Sequence, residues 1–134
     1  MDIAVAVYGV SLQLPNDEKF NLIHQIKKCA VSIPSNIAEG SGRNHSKEFI
    51  QFLGIANGST FELLTQLILA KRLNLIKEEI IQPIISQLVE VSNMNFAFQK
   101  TLKQPKTNKQ TNKQTKVLIL NTQILIQNRS SLNT

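Results

Sequence analysis

The most constraining feature of this sequence is a segment between Ser46 and Leu73 in which one set of positions recurs every three or four residues. The set holds its spacing over three heptads and comprises Phe49, Leu53, Ala56, Thr60, Leu63, Leu67 and Ala70. Such a stripe lies on one side of an α-helix of about 28 residues, roughly 42 Å long. A helix of this kind buries its stripe by packing on other helices, so the pattern favours a helical bundle.

Three further segments show the same spacing and are separated by residues that break helices. Pro15-Asn16-Asp17 follows a first helix predicted over residues 2–14, and Gly40-Ser41-Gly42 follows a second, predicted over residues 17–39. Glycine at that position suits the left-handed conformation of a helix C-cap. A stop at Asn74 precedes a fourth helix, predicted over residues 77–103. Short connections make an all-α, up-down-up-down four-helix bundle the expected fold of residues 1–103.

Several residues carry specific packing expectations. Ser46 is the expected N-cap of the third helix. Pro34 lies in the seam of the second helix and is expected to kink it, because proline removes a backbone hydrogen bond. Gly54 and Gly58 each cost about 1 kcal/mol relative to alanine in a helix interior, which indicates the close approach of another backbone. Asn95 is polar in an apolar seam, a device that fixes register at some cost in stability.

The net charge of +6 belongs mainly to the end of the chain. Residues 1–103 contain ten Lys and Arg and all nine acidic residues, whereas residues 104–134 contain five basic residues and no acidic one. Overall basicity is therefore weak evidence for a nucleic-acid partner. The tail, residues 104–134, repeats TNKQ over residues 107–114 and is predicted to be disordered. A repeated four-nucleotide unit, and hence a frame-shifted end, is one explanation; an ordinary linker is the other.

The cellular location follows from two simple observations. Cys29 is the single cysteine, which excludes an intrachain disulfide and points to a reducing compartment. No apolar run approaches the ~18 to 20 residues needed to cross a bilayer. We therefore expect a cytoplasmic protein without a membrane partner.

Polar side chains form a stripe beside the apolar seam on two of the predicted helices. The stripe of the second helix comprises Gln25, Cys29, Ser32, Asn36 and Glu39, and that of the third comprises Ser59, Glu62 and Gln66. In an antiparallel pair the stripes are expected to meet as a hydrogen-bonded layer. A structural layer is favoured over a site with Glu39 and Glu62 as paired carboxylates, because no His or Cys lies at metal-ligand spacing from them. His24 and His45 lack catalytic partners, so we expect no catalytic centre, metal, cofactor or small-molecule substrate.

Basic residues of the predicted bundle offer a different kind of site. The six candidates are Lys27, Lys28, Arg43, Lys47, Lys71 and Arg72. Aligned along an antiparallel helix pair, they would form a strip that follows the phosphates of RNA or DNA. A solvated face explains them equally well, and no aromatic residue interleaves them for base stacking.

The segment from Leu14 to Ala70 resembles a known family. The motifs that carry the resemblance are LPNDEKF, QIKKCAVSIPSNIAEG, KEFIQFL and ANGSTFELLTQLILA. They are similar to the four-helix-bundle proteins first noted as open reading frames in intervening sequences of 23S ribosomal RNA genes. Relatives include the accessory variability determinant of diversity-generating retroelements. The most specific stretch, SIPSNIAEG, supplies the motif residues Ser32, Pro34, Ser35, Asn36, Glu39 and Gly40.

The resemblance covers residues 3–103 and implies a four-helix protomer, a homopentameric barrel and a basic surface proposed to engage nucleic acid. It implies no established enzymatic activity. The chain departs from the family in its short first helix, which leaves an apolar groove uncovered, and in its nearly neutral bundle. We therefore expect a non-enzymatic homo-oligomer that binds RNA or DNA through the six basic residues. The alternatives are a protein-binding adaptor whose groove receives a partner helix and a truncated family copy without function.

Overall fold

The structure is a computed structural model that describes residues 1–15 and 21–104. The helices are α1 (Asp2–Ser11), α2 (Leu22–Gly42), α3 (Ser46–Arg72) and α4 (Glu78–Lys103). Within the described ranges the elements are all helices, which confirms the all-α, four-helix prediction. The start of the second helix predicted near Asp17 and the disorder predicted for the tail fall outside these ranges. The division at residue 103 stays a prediction.

The apolar seams form the core, as the spacing predicts. All seven predicted positions of α3 are buried, and Leu63, Leu67 and Ala70 have no exposed surface. From α4, Ile81, Ile84 and Leu88 are buried against the same core, while Val91, Phe98 and Leu102 are half-buried. Helix packing therefore follows the 3–4 spacing closely near the start of α4 and less closely near its end.

Side-chain contacts give the directions of three helices. Ser32 meets Ser59, whereas Cys29 meets Gln66, so residue numbers rise along α2 as they fall along α3. Lys71 pairs with Glu78 at one end of α3, and Phe49 packs on Phe98 near the other. These helices therefore alternate in direction, and the direction of α1 stays a prediction. Since α1 contacts α2 and α4, the order around the bundle is α1, α2, α3, α4.

The predicted end of the second helix was wrong. α2 continues through Gly42, and Arg43 follows with extended backbone angles of φ −75° and ψ 149°. No described glycine has a positive φ. Gly40 instead permits close helix packing, since a Cβ on it would lie 2.6 Å from Cβ of Phe52 and 2.7 Å from Cδ2 of Phe49.

Three other local predictions have mixed outcomes. Ser46 is the first residue of α3 rather than its N-cap; that position belongs to His45, which makes no side-chain capping bond. The predicted close approach at Gly54 and Gly58 was wrong within this chain, since a Cβ at either would meet nothing within 4 Å. The predicted stop at Asn74 is confirmed, because this residue has a φ of 55°.

The first helix is shorter than predicted and ends at Ser11. It has 10 residues, against 21 in α2 and 26 in α4, so its neighbours extend well beyond it. Ile37 of α2 and Phe98 of α4 are only half-buried. The bundle is therefore less completely covered on its α1 side.

One helix among the described residues, α3, is long and apolar enough to cross a membrane by length and composition alone. The uninterrupted apolar runs of the sequence are too short to have indicated this. Core helices of bundles meet the same criterion, and the apolar seam of α3 is buried here against other helices.

Candidate functional surfaces

The predicted polar layer between α2 and α3 is confirmed. The hydroxyls of Ser32 and Ser59 lie 2.8 Å apart, and Nδ2 of Asn36 donates to the carbonyl oxygen and Oγ of Ser32 at 2.8 and 3.0 Å. Further along, Nε2 of Gln66 contacts Sγ of Cys29 at 3.7 Å and Oε1 of Glu62 at 3.3 Å. The layer therefore joins α2 to α3 through contacts between polar side chains.

Cys29 is the most perturbed titratable group of this layer. Burial raises the pKa of its thiol to about 11, and the negative charge of Glu62 and a hydrogen bond to that carboxylate act in the same direction. Gln66 acts in the opposite direction by donating to the sulfur. A thiol with this pKa stays protonated near neutral pH, so its environment does not prepare it as a nucleophile.

The two glutamates of the stripes do not form a carboxylate pair. Glu39 forms an ion pair with Arg43 one turn along the chain. Glu62 of α3 lies beside Cys29 of α2. Glu39 lies further along α2, seven residues or about 10 Å beyond Ser32, and is therefore too far from Glu62 to pair with it. Within the described part of the chain, no three His, Cys, Asp or Glu side chains are close enough to hold a metal ion.

The SIPSNIAEG motif maps onto helix packing. Ser32 and Asn36 belong to the polar layer, Glu39 holds Arg43, and Gly40 lets α2 approach α3. Pro34 lies inside α2, and Ser35 is exposed. The kink expected at Pro34 stays a prediction. Within this motif, Ser32 and Gly40 are the residues that contact α3 directly.

Three of the six candidate basic residues are engaged by neighbouring side chains. Arg43 forms an ion pair with Glu39, and its guanidinium carbon lies 5.0 Å from the centre of the Phe52 ring. Lys71 forms an ion pair with Glu78. Nζ of Lys27 lies 5.1 Å from the centre of the Tyr8 ring.

Lys28, Lys47 and Arg72 are exposed, and none is in an ion pair with another described residue. Lys47 and Arg72 lie at opposite ends of α3, separated by about 38 Å at 1.5 Å per residue. Glu39 and Glu62 lie along the α2–α3 pair between these ends. The structure therefore does not gather the six residues into one patch.

Sequence reasoning missed two exposed apolar surfaces. The first, which we name the α3–α4 face, contains Phe61 and Ile68 of α3 with Val89 and Phe96 of α4, and the rings of Phe61 and Phe96 lie 6.4 Å apart. The second, the α1–α2 face, contains Val5, Tyr8 and Leu12 with Val31 of α2. The sequence signal was present: each set has spacings of three, four or seven residues outside the core seams.

These features define a class of protein, an all-α four-helix bundle with a hydrogen-bonded polar layer between α2 and α3. The family model of the 23S rRNA-intervening sequence proteins matches residues 1–97. The chain therefore belongs to that family, which confirms the resemblance seen in the sequence. No curated protein matches the chain.

Proposed function

We propose that this protein is a non-enzymatic, homo-oligomeric scaffold of the cytoplasm that binds RNA or DNA through phosphate contacts. The observation that carries the proposal is the exposure of Lys28, Lys47 and Arg72 without an acidic partner among the described residues. Free cations can neutralise phosphates and release counterions, whereas Arg43 and Lys71 would first have to leave their carboxylates.

Oligomerisation would support this function because a single chain offers only three such candidate cations, and two of them, Lys47 and Arg72, lie at opposite ends of α3. Several copies would present several such sets to one nucleic acid, and linked weak contacts raise overall affinity by avidity. A homopentamer is the assembly that the family resemblance implies. The description of the family refers to 23S rRNA and names no ligand. The proposal includes no metal, cofactor, membrane or small-molecule substrate.

A salt titration tests phosphate binding. Fluorescence anisotropy would follow labelled single- and double-stranded RNA and DNA from low to physiological salt, with wild type and the triple variant Lys28→Ala/Lys47→Ala/Arg72→Ala. We expect binding that weakens as salt rises, and a salt slope lowered by about one for each contacting residue removed. The matched control is Lys77→Ala/Lys100→Ala/Lys103→Ala, which removes the same charge from exposed positions of the fourth-helix region. Absent binding at low salt, or equal losses in both triple variants, would contradict the proposal.

The second candidate function is a protein-binding adaptor. The exposed α3–α4 and α1–α2 faces favour it, because contiguous apolar surface is typical of protein contacts. Purification of the tagged chain from its native cells tests this candidate. A different protein recovered in fixed stoichiometry, together with no nucleic acid, would support the adaptor over the nucleic-acid scaffold.

A further inference from the structure

Four polar side chains are buried together between α3 and α4, and we name this group the asparagine layer. Asn57 and Thr60 belong to α3, whereas Ser92 and Asn95 belong to α4, and each has 6% or less of its surface exposed. Asn57 contacts Asn95, and Thr60 and Ser92 each lie three residues away on the same side of their helix. Because α3 and α4 run in opposite directions, Thr60 and Ser92 lie at a common level, one turn from the asparagine pair.

The hydrogen bonds of this layer leave one donor group without a partner. Nδ2 of Asn95 donates to Oδ1 of Asn57 at 3.1 Å, but Nδ2 of Asn57 is buried and donates to no described residue. Oγ1 of Thr60 donates to the carbonyl oxygen of Ala56 at 2.8 Å, which leaves its lone pairs free to accept. The hydroxyl of Ser92 can both donate and accept. Buried N–H groups are nearly always paired with protein or with ordered water, so the NH₂ of Asn57 needs a partner that the two helices do not supply.

The chemistry of the layer selects the kind of partner. In the present arrangement the partner of Asn57 must accept a hydrogen bond. If both amides were turned over, the unpaired atom of Asn57 would be an oxygen, and its partner would have to donate. Water does both. None of the four side chains is charged, so an ion bound here would have no counter-charge within the layer.

Small side chains give the layer room for such a ligand. Leu53 and Leu63 lie on either side of it along α3, and Leu88 precedes it along α4; these leucines have 1% or less of their surface exposed. Ala56 and the four polar residues lie between these leucines, and each has a smaller side chain than leucine. A buried water needs both space and two to four polar partners, and the asparagine layer combines the two.

We propose that the asparagine layer binds one internal water molecule. The water accepts a hydrogen bond from Nδ2 of Asn57 and is held by the hydroxyls of Thr60 and Ser92. It is a part of the core rather than exchanging surface solvent, because all of its partners are buried. The site does not depend on the proposed nucleic-acid binding, since no residue of the layer is one of the six candidate cations.

The bound water completes the polar network between α3 and α4. With the NH₂ of Asn57 paired, the network favours one alignment of the two helices over others. The asparagine pair and the water then act as one unit. Replacing both asparagines with apolar residues should therefore remove the water as well.

A count of long-lived water molecules tests this site. Oxygen-17 magnetic relaxation dispersion of the full chain detects water that stays bound for longer than the protein takes to tumble, and it does not register hydroxyl protons. Asn57→Leu/Asn95→Leu removes the asparagine pair. Thr60→Val/Ser92→Ala keeps the pair and removes the two hydroxyls. Circular dichroism and a thermal melt establish that each variant folds, and if one does not, the other decides.

We expect each layer variant to hold one long-lived water fewer per chain than wild type. The matched control, Asn44→Leu/Asn93→Leu, replaces two exposed asparagines and should hold as many as wild type. A high-resolution crystal structure should show the water about 3.0 Å from Nδ2 of Asn57. Equal counts in wild type and in the folded layer variants, or an empty layer in that crystal structure, would overturn the site.

Discussion

Nδ2 of Asn95 donates a hydrogen bond to Oδ1 of Asn57 across 3.1 Å, inside the interface between α3 and α4. Both residues are buried, with 6% and 5% of their surface exposed. Nδ2 of Asn57 has no hydrogen-bond partner among the described residues. The pair therefore fixes the register of two helices while leaving one polar group unsatisfied by the two helices, which limits its net contribution to stability.

Removing one member of this pair should destabilise the bundle. We expect Asn95→Ala to lower the free energy of unfolding by about 1 to 3 kcal/mol, because it leaves Oδ1 of Asn57 buried without a donor. Urea denaturation of Asn95→Ala, Asn57→Ala and the double variant measures the coupling, expected at about 0.5 to 1.5 kcal/mol. Asn93→Ala, an exposed neighbour, is the control and should change stability by less than about 0.5 kcal/mol. Strict additivity of the two single changes would contradict the hydrogen bond.

Two glycines should respond in opposite ways to alanine. Gly40→Ala places a Cβ 2.6 Å from Cβ of Phe52, an atom fixed to the α3 backbone, so α2 and α3 must separate. We expect a loss of about 1 to 3 kcal/mol in the free energy of unfolding. Gly58→Ala meets open space and should gain up to about 1 kcal/mol from helix propensity. Thermal melts of both variants measure the change in stability. Equal changes in the two variants would show that Gly40 has no packing role.

The raised pKa of Cys29 predicts a loss of stability at alkaline pH. Below the ordinary thiol pKa of 9.0 both folded and unfolded chains hold the proton, so the full contribution is present. Between pH 9.0 and about 11 the unfolded chain ionises first, which favours unfolding. Between these pH values wild type should therefore lose up to about 2 to 3 kcal/mol of its free energy of unfolding relative to Cys29→Ala. Urea denaturation at about pH 8, about pH 9.5 and about pH 11 measures this difference, and a constant value would contradict the prediction.

Glu62 should control the ionisation of the same thiol. Glu62→Gln removes a negative charge and a hydrogen bond that both raise the pKa of Cys29. The rate at which iodoacetamide alkylates Cys29 rises as the thiol ionises, and we expect this rise to occur at lower pH in the variant. Glu79→Gln removes an exposed acid from the start of α4 and serves as the control. Identical pH profiles for wild type and Glu62→Gln would exclude Glu62 as a cause.

Burial could be predicted from the sequence wherever a regular three-four spacing placed residues on one side of a helix. The spacing of Leu63 and Leu67 predicts a buried stripe, and both are fully buried. The polar layer was predictable for the same reason, since Ser32 and Ser59 flank the seams of neighbouring helices. Repeated spacing placed these residues correctly because each contact involves the nearest helix along the chain.

Features that depend on how two helices approach each other were not predictable from spacing. Gly40 looks like a helix terminator in the sequence, but it serves the contact with Phe49 and Phe52. Asn57 flanks the seam as an ordinary polar residue, and its pairing with Asn95 depends on the rotation of α4. Spacing also could not predict which candidate cations are free to bind a ligand, because this depends on ion pairs with neighbours such as Glu39.

The mass of the full-length protein under native conditions tests the central claim, a homo-oligomeric scaffold, most directly. The chain has a mass of 15.0 kDa. Native mass spectrometry, repeated after dilution, should give a discrete multiple of that mass. A wild-type chain that stays at 15.0 kDa at every concentration would contradict the account.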